Sequence, residues 1–143
     1  MKQAEVKYFV DEDTLGLAYV LADIRSDVTY PGDEGGTTVN KRHRPACPIA
    51  RRTLDVDWIP IVAQNEWLVI TRDRNISKRT AEKAAVQEAG AKLVAITSSE
   101  DLNNFGLLEV VMCRWRDISG LVDLPGPFIY SATRTTFNKI DSF

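Results

Sequence analysis

Residues 55 to 73 read DVDWIPIVAQNEWLVITRD. Two carboxylates lead into a helix-like apolar run, Trp58, Ile59, Ile61, Val62 and Ala63. The chain turns at residues 64 to 66, and residues 67 to 71 then read as a buried strand that runs out onto Asp73. Such a strand delivers its carboxylate to the carboxyl-terminal edge of a sheet, where open α/β folds build ligand sites. Pro60 lacks an N–H and suits only the first turn of a helix, which predicts Asp57 as the N-cap and Trp58 as the first helical residue. Asp55 and Asp57 are thereby expected at a helix start, on the same edge as Asp73.

Working outward, residues 6 to 10 (VKYFV) form a short apolar run closed by Asp11, Glu12 and Asp13, the pattern of a first strand. Leu15, Leu17, Ala18, Leu21, Ala22 and Ile24 recur at helical spacing, with Asp13 or Thr14 as cap. Residues 27 to 30 give a second short strand. Periodicity then fails from residue 32 to 53, where glycine, proline and basic residues dominate, so a long surface loop is expected. A stretch of that length inside a small domain is usually functional or disordered.

Beyond the opening stretch, residues 77 to 90 (SKRTAEKAAVQEAG) carry a Ser or Thr start, alanines and a terminal glycine, the marks of an exposed helix. Residues 92 to 97 form the next strand. Ser98 or Ser99 is then expected to cap one long helix over residues 100 to 118, with Leu102, Phe105, Leu108, Val111, Met112 and Trp115 on its apolar side. Residues 128 to 131 read as a last strand, and residues 132 to 143 show no clear pattern. Alternating strands and helices imply an α/β fold with a mostly parallel sheet covered on both faces.

With 143 residues, 44% hydrophobic and 27% charged, the chain is expected to form one domain over residues 1 to 143, with the basic segment at 32 to 53 as a loop insertion. Cys47 and Cys113 lie far apart with no companion ligands, so neither a disulfide framework nor a zinc site is supported. The amino terminus lacks a signal-peptide core and no run approaches a membrane span, which makes a cytoplasmic protein without a membrane partner the expectation. A net charge of -2 does not by itself suggest a polyanion ligand. Its distribution does, because Lys41, Arg42, Arg44, Arg51 and Arg52 crowd one segment, where they suit phosphate-backbone contact. Arg72 and Arg74 flank Asp73 and are further phosphate candidates. His43, among the basic residues, reads as a solvated loop residue, and Trp58, Trp67 and Trp115 as packing residues.

Asp11, Asp55 or Asp57, and Asp73 thus fall at comparable places in the pattern. Carboxylates brought together repel one another unless a cation compensates, so such a cluster suits a hard, oxygen-preferring ion, Mg²⁺ or Mn²⁺, and with it phosphodiester hydrolysis by water. Asp is also common at turns and N-caps for purely local reasons, and capping alone accounts for Asp57. Glu12 and Asp13 are read as one solvated residue and one cap. Glu82 either adds a carboxylate or pairs with Lys78 or Arg79.

The run FVDED, DVDWIP, WLVITRDRNI and KRTAE, over residues 8 to 96, resembles the PIN-like domains of VapC-type toxins and their relatives. That resemblance implies a three-layer α/β/α sandwich with a central parallel sheet, a metal-dependent endoribonuclease acting on RNA, and a cognate antitoxin partner. It matches Asp11 to the first-strand acid, Asp55 or Asp57 to the acid before the central helix, Asp73 to the acid after ITRD, and Glu82 to the acid in R-x-x-E. An exposed apolar surface is expected to serve the antitoxin or a homodimer. Two other classes compete. A receiver domain needs a phospho-accepting aspartate directly after the central strand and a lysine near the last strand; Asp57 precedes its apolar run and residues 124 to 128 (LPGPF) hold no lysine. A non-catalytic nucleic-acid-binding or interaction module would keep the fold without the chemistry.

Overall fold

The computed structural model describes residues 2–73, 75–98, 101–140 and 143. The first apolar run condenses into β1 (Tyr8–Val10), every residue of it buried. The chain then makes a 3-10 turn (Glu12–Thr14), helix α1 (Leu15–Ile24) and strand β2 (Val28–Thr29), which pairs parallel to β1. Helix α2 (Asp55–Gln64) leads to β5 (Leu68–Thr71), which pairs parallel to β1 on its other side. Helix α3 (Thr80–Ala89) ends on Gly90 at φ +74, a left-handed position that glycine adopts without steric cost. Strands β6 (Lys92–Ile96) and β7 (Phe128–Ala132) continue the parallel sheet.

The sheet has six strands in the order β2, β1, β5, β6, β7, with β8 (Phe137–Lys139) closing the edge antiparallel to β7. Alternate residues of each strand enter opposite layers, as the pleat requires. Tyr8, Val10, Leu68, Ile70, Val94 and Ile96 face one core with Leu17, Ala18 and Leu21 of α1 and Val110, Val111 and Ile118. Phe9, Val69, Leu93 and Ile129 face the other with Trp58, Ile59 and Val62 of α2 and Val86 of α3. Phe9 is fully buried between the Trp58 and Trp67 rings, with centroids 5.3 and 6.2 Å away. Cutting such a side chain to alanine costs about 3–5 kcal/mol.

The structure corrects four local expectations. Asp57 is not the N-cap of the central helix: α2 begins at Asp55, Leu54 occupies the cap position without a side-chain bond, and its carbonyl accepts the Asp57 and Trp58 N–H groups at 2.9 and 3.0 Å. Pro60 therefore stands inside the helix, past the first turn, and the Val56 carbonyl, whose partner it removes, belongs to an exposed residue that water can reach. The helix expected over residues 100 to 118 is two, α4 (Asn104–Cys113) and α5 (Trp115–Ser119), parted at Arg114. Its cap is Asn103, whose side chain accepts the Gly106 N–H at 2.8 Å, and not Ser98; Ser99 and Glu100 lie outside the described residues.

The basic segment is not wholly irregular, since β3 (Gly36–Thr37) and β4 (His43–Arg44) form a small antiparallel hairpin. The tail supplies β8, hidden from pattern reading because a three-residue edge strand with two exposed positions has no apolar signature. Helix α1 lies so close to α4 that a Cβ on Gly16 would stand 2.2 Å from the Asn104 side chain. Among the described residues, no helix is long and apolar enough to cross a membrane.

Candidate active site

From β1 the chain first adds a strand on one side, at β2, and then returns to the other side at β5. The carboxyl ends of β1 and β5 therefore flank the point where the strand order reverses, the place at which open parallel sheets bind ligands. Asp11 directly follows β1, and Thr71, Arg72 and Asp73 end β5 or follow it. Asp11, Glu12, Asp13, Thr53, Asp55 and Asp73 line one open depression of about 310 Å³ at this edge. A larger depression of about 500 Å³ lies among residues at the opposite ends of these strands, where the acids Glu5, Glu66 and Asp123 share the lining with Lys7 and Lys92.

Asp11 is the buried member, at 7% exposure. One of its oxygens caps the following turn through the Glu12 N–H at 2.6 Å, and the other accepts the Thr71 hydroxyl at 3.0 Å. Burial pushes its carboxyl up to about 7, Asp13 adds to the rise, the Thr71 and Glu12 bonds oppose it, and Asp55 raises it further. Asp13 reaches back over the end of β5: its Oδ2 lies 3.2 Å from the Thr71 hydroxyl and its carboxylate accepts the Arg72 N–H at 3.3 Å. Its carboxyl is also raised, first by loss of solvent and then by Asp73 and Asp55, against the Arg72 and Thr71 bonds. Asp13, read from the sequence as a cap or a solvated residue, thus joins the site; the D-x-D spacing after the first strand was the only signal for it.

Asp55 lies in the first turn of α2, where its carboxylate favourably meets the positive end of the helix. It accepts the Trp58 indole N–H at 3.0 Å, and its carboxyl is raised by burial, with Asp73 and Glu82 adding to the rise and Trp58 and Arg79 opposing it. Asp57 is exposed and does not line the depression. Two residues along an α-helix turn the side chain by about 200°, so only one of the pair can face the site. Asp73 accepts the Asn75 N–H at 3.1 Å on one oxygen and forms an ion pair with Arg79 on the other. Glu82 is half-buried in the first turn of α3, near Asp55 and Arg79.

The basic candidates divide. Arg51 and Arg52 stand at the rim: the Arg52 N–H donates to Glu12 at 2.8 Å and the Arg51 guanidinium lies 3.5 Å from the same carboxylate. Lys41 and Arg42 are exposed at the hairpin tip, and the hairpin is fastened to the segment before β1 by paired His43 bonds of 2.8 Å to Lys2 and Ala4. Arg44 departs from its expected role. It is buried, and its guanidinium is spent on Asp33 at 2.7 and 3.1 Å, so it anchors the hairpin and offers no surface cation. Arg72 sends its guanidinium away from the acids to the Leu102 carbonyl at 2.7 Å and Asp101 at 3.3 Å. Arg74 lies outside the described residues.

A family model described as a PIN like domain matches residues 6–98. The chain belongs to the PIN-like domain family. The match takes in β1 through β6 and hence every acid of the site, and PIN-like domains are nuclease-type folds. Comparison with curated proteins finds no match, and comparison with solved structures finds none either.

The donor chemistry of this PIN-like site suits a hard divalent ion, since the side chains that line the depression carry carboxylate and hydroxyl oxygens. Among the described residues no three acids are already drawn together in ligating geometry. Asp73, in particular, is turned to Arg79.

Proposed function

We propose that this PIN-like domain is a divalent-metal-dependent endoribonuclease, hydrolysing RNA phosphodiester bonds, and the toxin half of a toxin–antitoxin pair. The observation that carries the reading is the buried Asp11, raised to about 7 beside Asp13 and Asp55 at the switch point of a PIN-like sheet. A buried carboxylate with acidic neighbours is unfavourable when ionised and becomes favourable once a cation enters, which is why perturbed acids gather at functional sites.

Asp11, Asp13, Asp55 and Asp73 would hold Mg²⁺ or Mn²⁺. The bound ion would supply Lewis acidity and a water made acidic enough to attack phosphorus. Asp11 and Asp13, which share the single Thr71 hydroxyl proton, are held at the end of β5, and Asp55 is held by the Trp58 indole. Arg51 and Arg52 at the rim suit an incoming RNA backbone. Support for a protein partner is the apolar surface on two helices that pack together, Tyr19, Val20 and Ile24 of α1 with Phe105 and Met112 of α4.

The test is cleavage of labelled single-stranded RNA in Mg²⁺, with DNA as control, by the parent and by Asp11→Asn and Asp73→Asn. Variants that cut as fast as the parent sink the reading. RNA bound with steep salt dependence but never cut makes the protein a binding module. Expression of the parent is expected to arrest host growth, and expression of Asp11→Asn is not.

A further inference from the structure

Among the described residues, Arg79 pairs directly with an acid of the depression, Asp73. It precedes α3 with extended backbone, and its guanidinium pairs with Asp73 while also feeling Glu82 and Asp55. Both oxygens of Asp73 carry a donor in this arrangement: one takes the Asn75 N–H, the other takes Arg79, and the residue's own N–H donates to the Thr71 hydroxyl at 3.1 Å. An ion approaching Asp73 on the oxygen that holds Arg79 meets the guanidinium charge and must share that oxygen with it or displace it. The Arg79 side chain is 45% exposed and that of Asp73 15%, so solvent screens the pair on the arginine side, and a cation arriving at Asp73 replaces the charge that Arg79 gives up. The released guanidinium keeps its planar fork of donors at the mouth of the site, the geometry that grips phosphate on two oxygens.

We propose that Arg79 is a tethered counter-ion that occupies Asp73 until a divalent cation replaces it, and that it then binds the phosphate of the RNA next to the cut. This rests on the metal-dependent reading above and adds a positioning residue to it. Arg79 and the metal compete for one oxygen, so removing Arg79 should strengthen metal binding while weakening RNA binding. A residue with a merely structural role would not move the two in opposite directions.

The experiment uses the full chain. Mn²⁺ binding is followed by loss of the free-ion magnetic resonance signal, and binding of a short phosphorothioate RNA is followed by anisotropy with saturating Mn²⁺. The parent, Arg79→Gln and Arg79→Lys are compared, each after a thermal melt shows that it is folded. Arg79→Gln is expected to bind Mn²⁺ about fivefold tighter, the size of an exposed ion pair released. It should also lose about tenfold in affinity for the oligonucleotide, the size of one charge-assisted contact. Arg79→Lys should stay near the parent for Mn²⁺ and fall between the two for RNA. If Arg79→Gln binds Mn²⁺ no tighter than the parent, the competition is overturned. Tighter Mn²⁺ binding with unchanged oligonucleotide affinity overturns the phosphate role. If the parent and both variants all fail to bind Mn²⁺, this proposal falls together with the metal-dependent reading.

Discussion

The Thr71 hydroxyl lies 3.0 Å from the carboxylate of Asp11, a residue 60 positions away in the chain. The same hydroxyl lies 3.2 Å from Asp13 and accepts the Asp73 N–H at 3.1 Å. A hydroxyl has one proton to give, so it cannot satisfy both carboxylates at once. The shortfall is electrostatic, and either a proton or a cation makes it up.

Thr71→Val keeps the shape and removes the hydroxyl. Asp11 then loses a bond that favours its ionised form, and the Asp73 N–H loses its acceptor. The expected loss of stability is about 1–3 kcal/mol, larger at pH 8, where Asp11 is ionised, than at pH 5. Urea unfolding at the two pH values checks this; equal losses would mean that the hydroxyl does not serve Asp11.

Asp11 also sets a pH dependence whose sign follows from its environment. Its carboxyl is raised from 3.8 to about 7, chiefly by burial, so between those values the native state holds a proton that the unfolded chain has released. Native stability therefore falls as pH rises from about 4 to about 7 and is lowest above that window. Asp11→Asn removes the titration and should be more stable than the parent at pH 8, by up to about 4 kcal/mol, while losing cleavage. Thermal melts from pH 4 to 8 without added metal are the measurement, and a parent curve that rises across this range contradicts the assignment.

Metal and proton compete for the same carboxylate. Cleavage should climb as pH passes through the region near 7, and raising Mg²⁺ tenfold should move the midpoint to lower pH. Initial rates across a pH series at two Mg²⁺ concentrations report this directly. A midpoint indifferent to Mg²⁺ separates Asp11 from metal binding.

The two acids of the central helix should part company. Asp55→Asn is expected to lower cleavage by two or more orders of magnitude, in the range of a lost transition-state electrostatic contact. It should also alter tryptophan fluorescence, because Trp58 donates to Asp55. Asp57→Asn should stay within about twofold in rate and about 0.5 kcal/mol in stability. Reversal of the two effects would place Asp57 in the site.

Among the basic residues, Arg44→Ala leaves Asp33, buried at 3% exposure, without its counter-ion and with the Thr29 hydroxyl and Gly35 N–H as donors, and should cost about 3–5 kcal/mol. Arg51→Ala and Arg52→Ala should change stability little but weaken RNA binding and flatten its salt dependence, each by about one counter-ion. Chemical denaturation and a salt titration of RNA affinity distinguish the two classes.

The amino-acid sequence by itself determined the alternation of strands and helices, the buried run before Asp73, the Gly90 stop of α3 and the place of Asp11 at the end of β1. These depend on local periodicity and on backbone preferences that neighbouring residues carry. Only the tertiary structure decided which acids meet. Starting α2 at Asp55 rather than Trp58 turns one carboxylate inward and the other to solvent, and that start is set by the Leu54 carbonyl and the burial of Trp58. Asp13 entered the site because the turn after β1 carries it back to Thr71, and Arg44 left the surface because Asp33 waits for it across the hairpin. The first pairing spans 58 residues and the second closes across a hairpin, and neither follows from the local periodicity by which strands and helices are read.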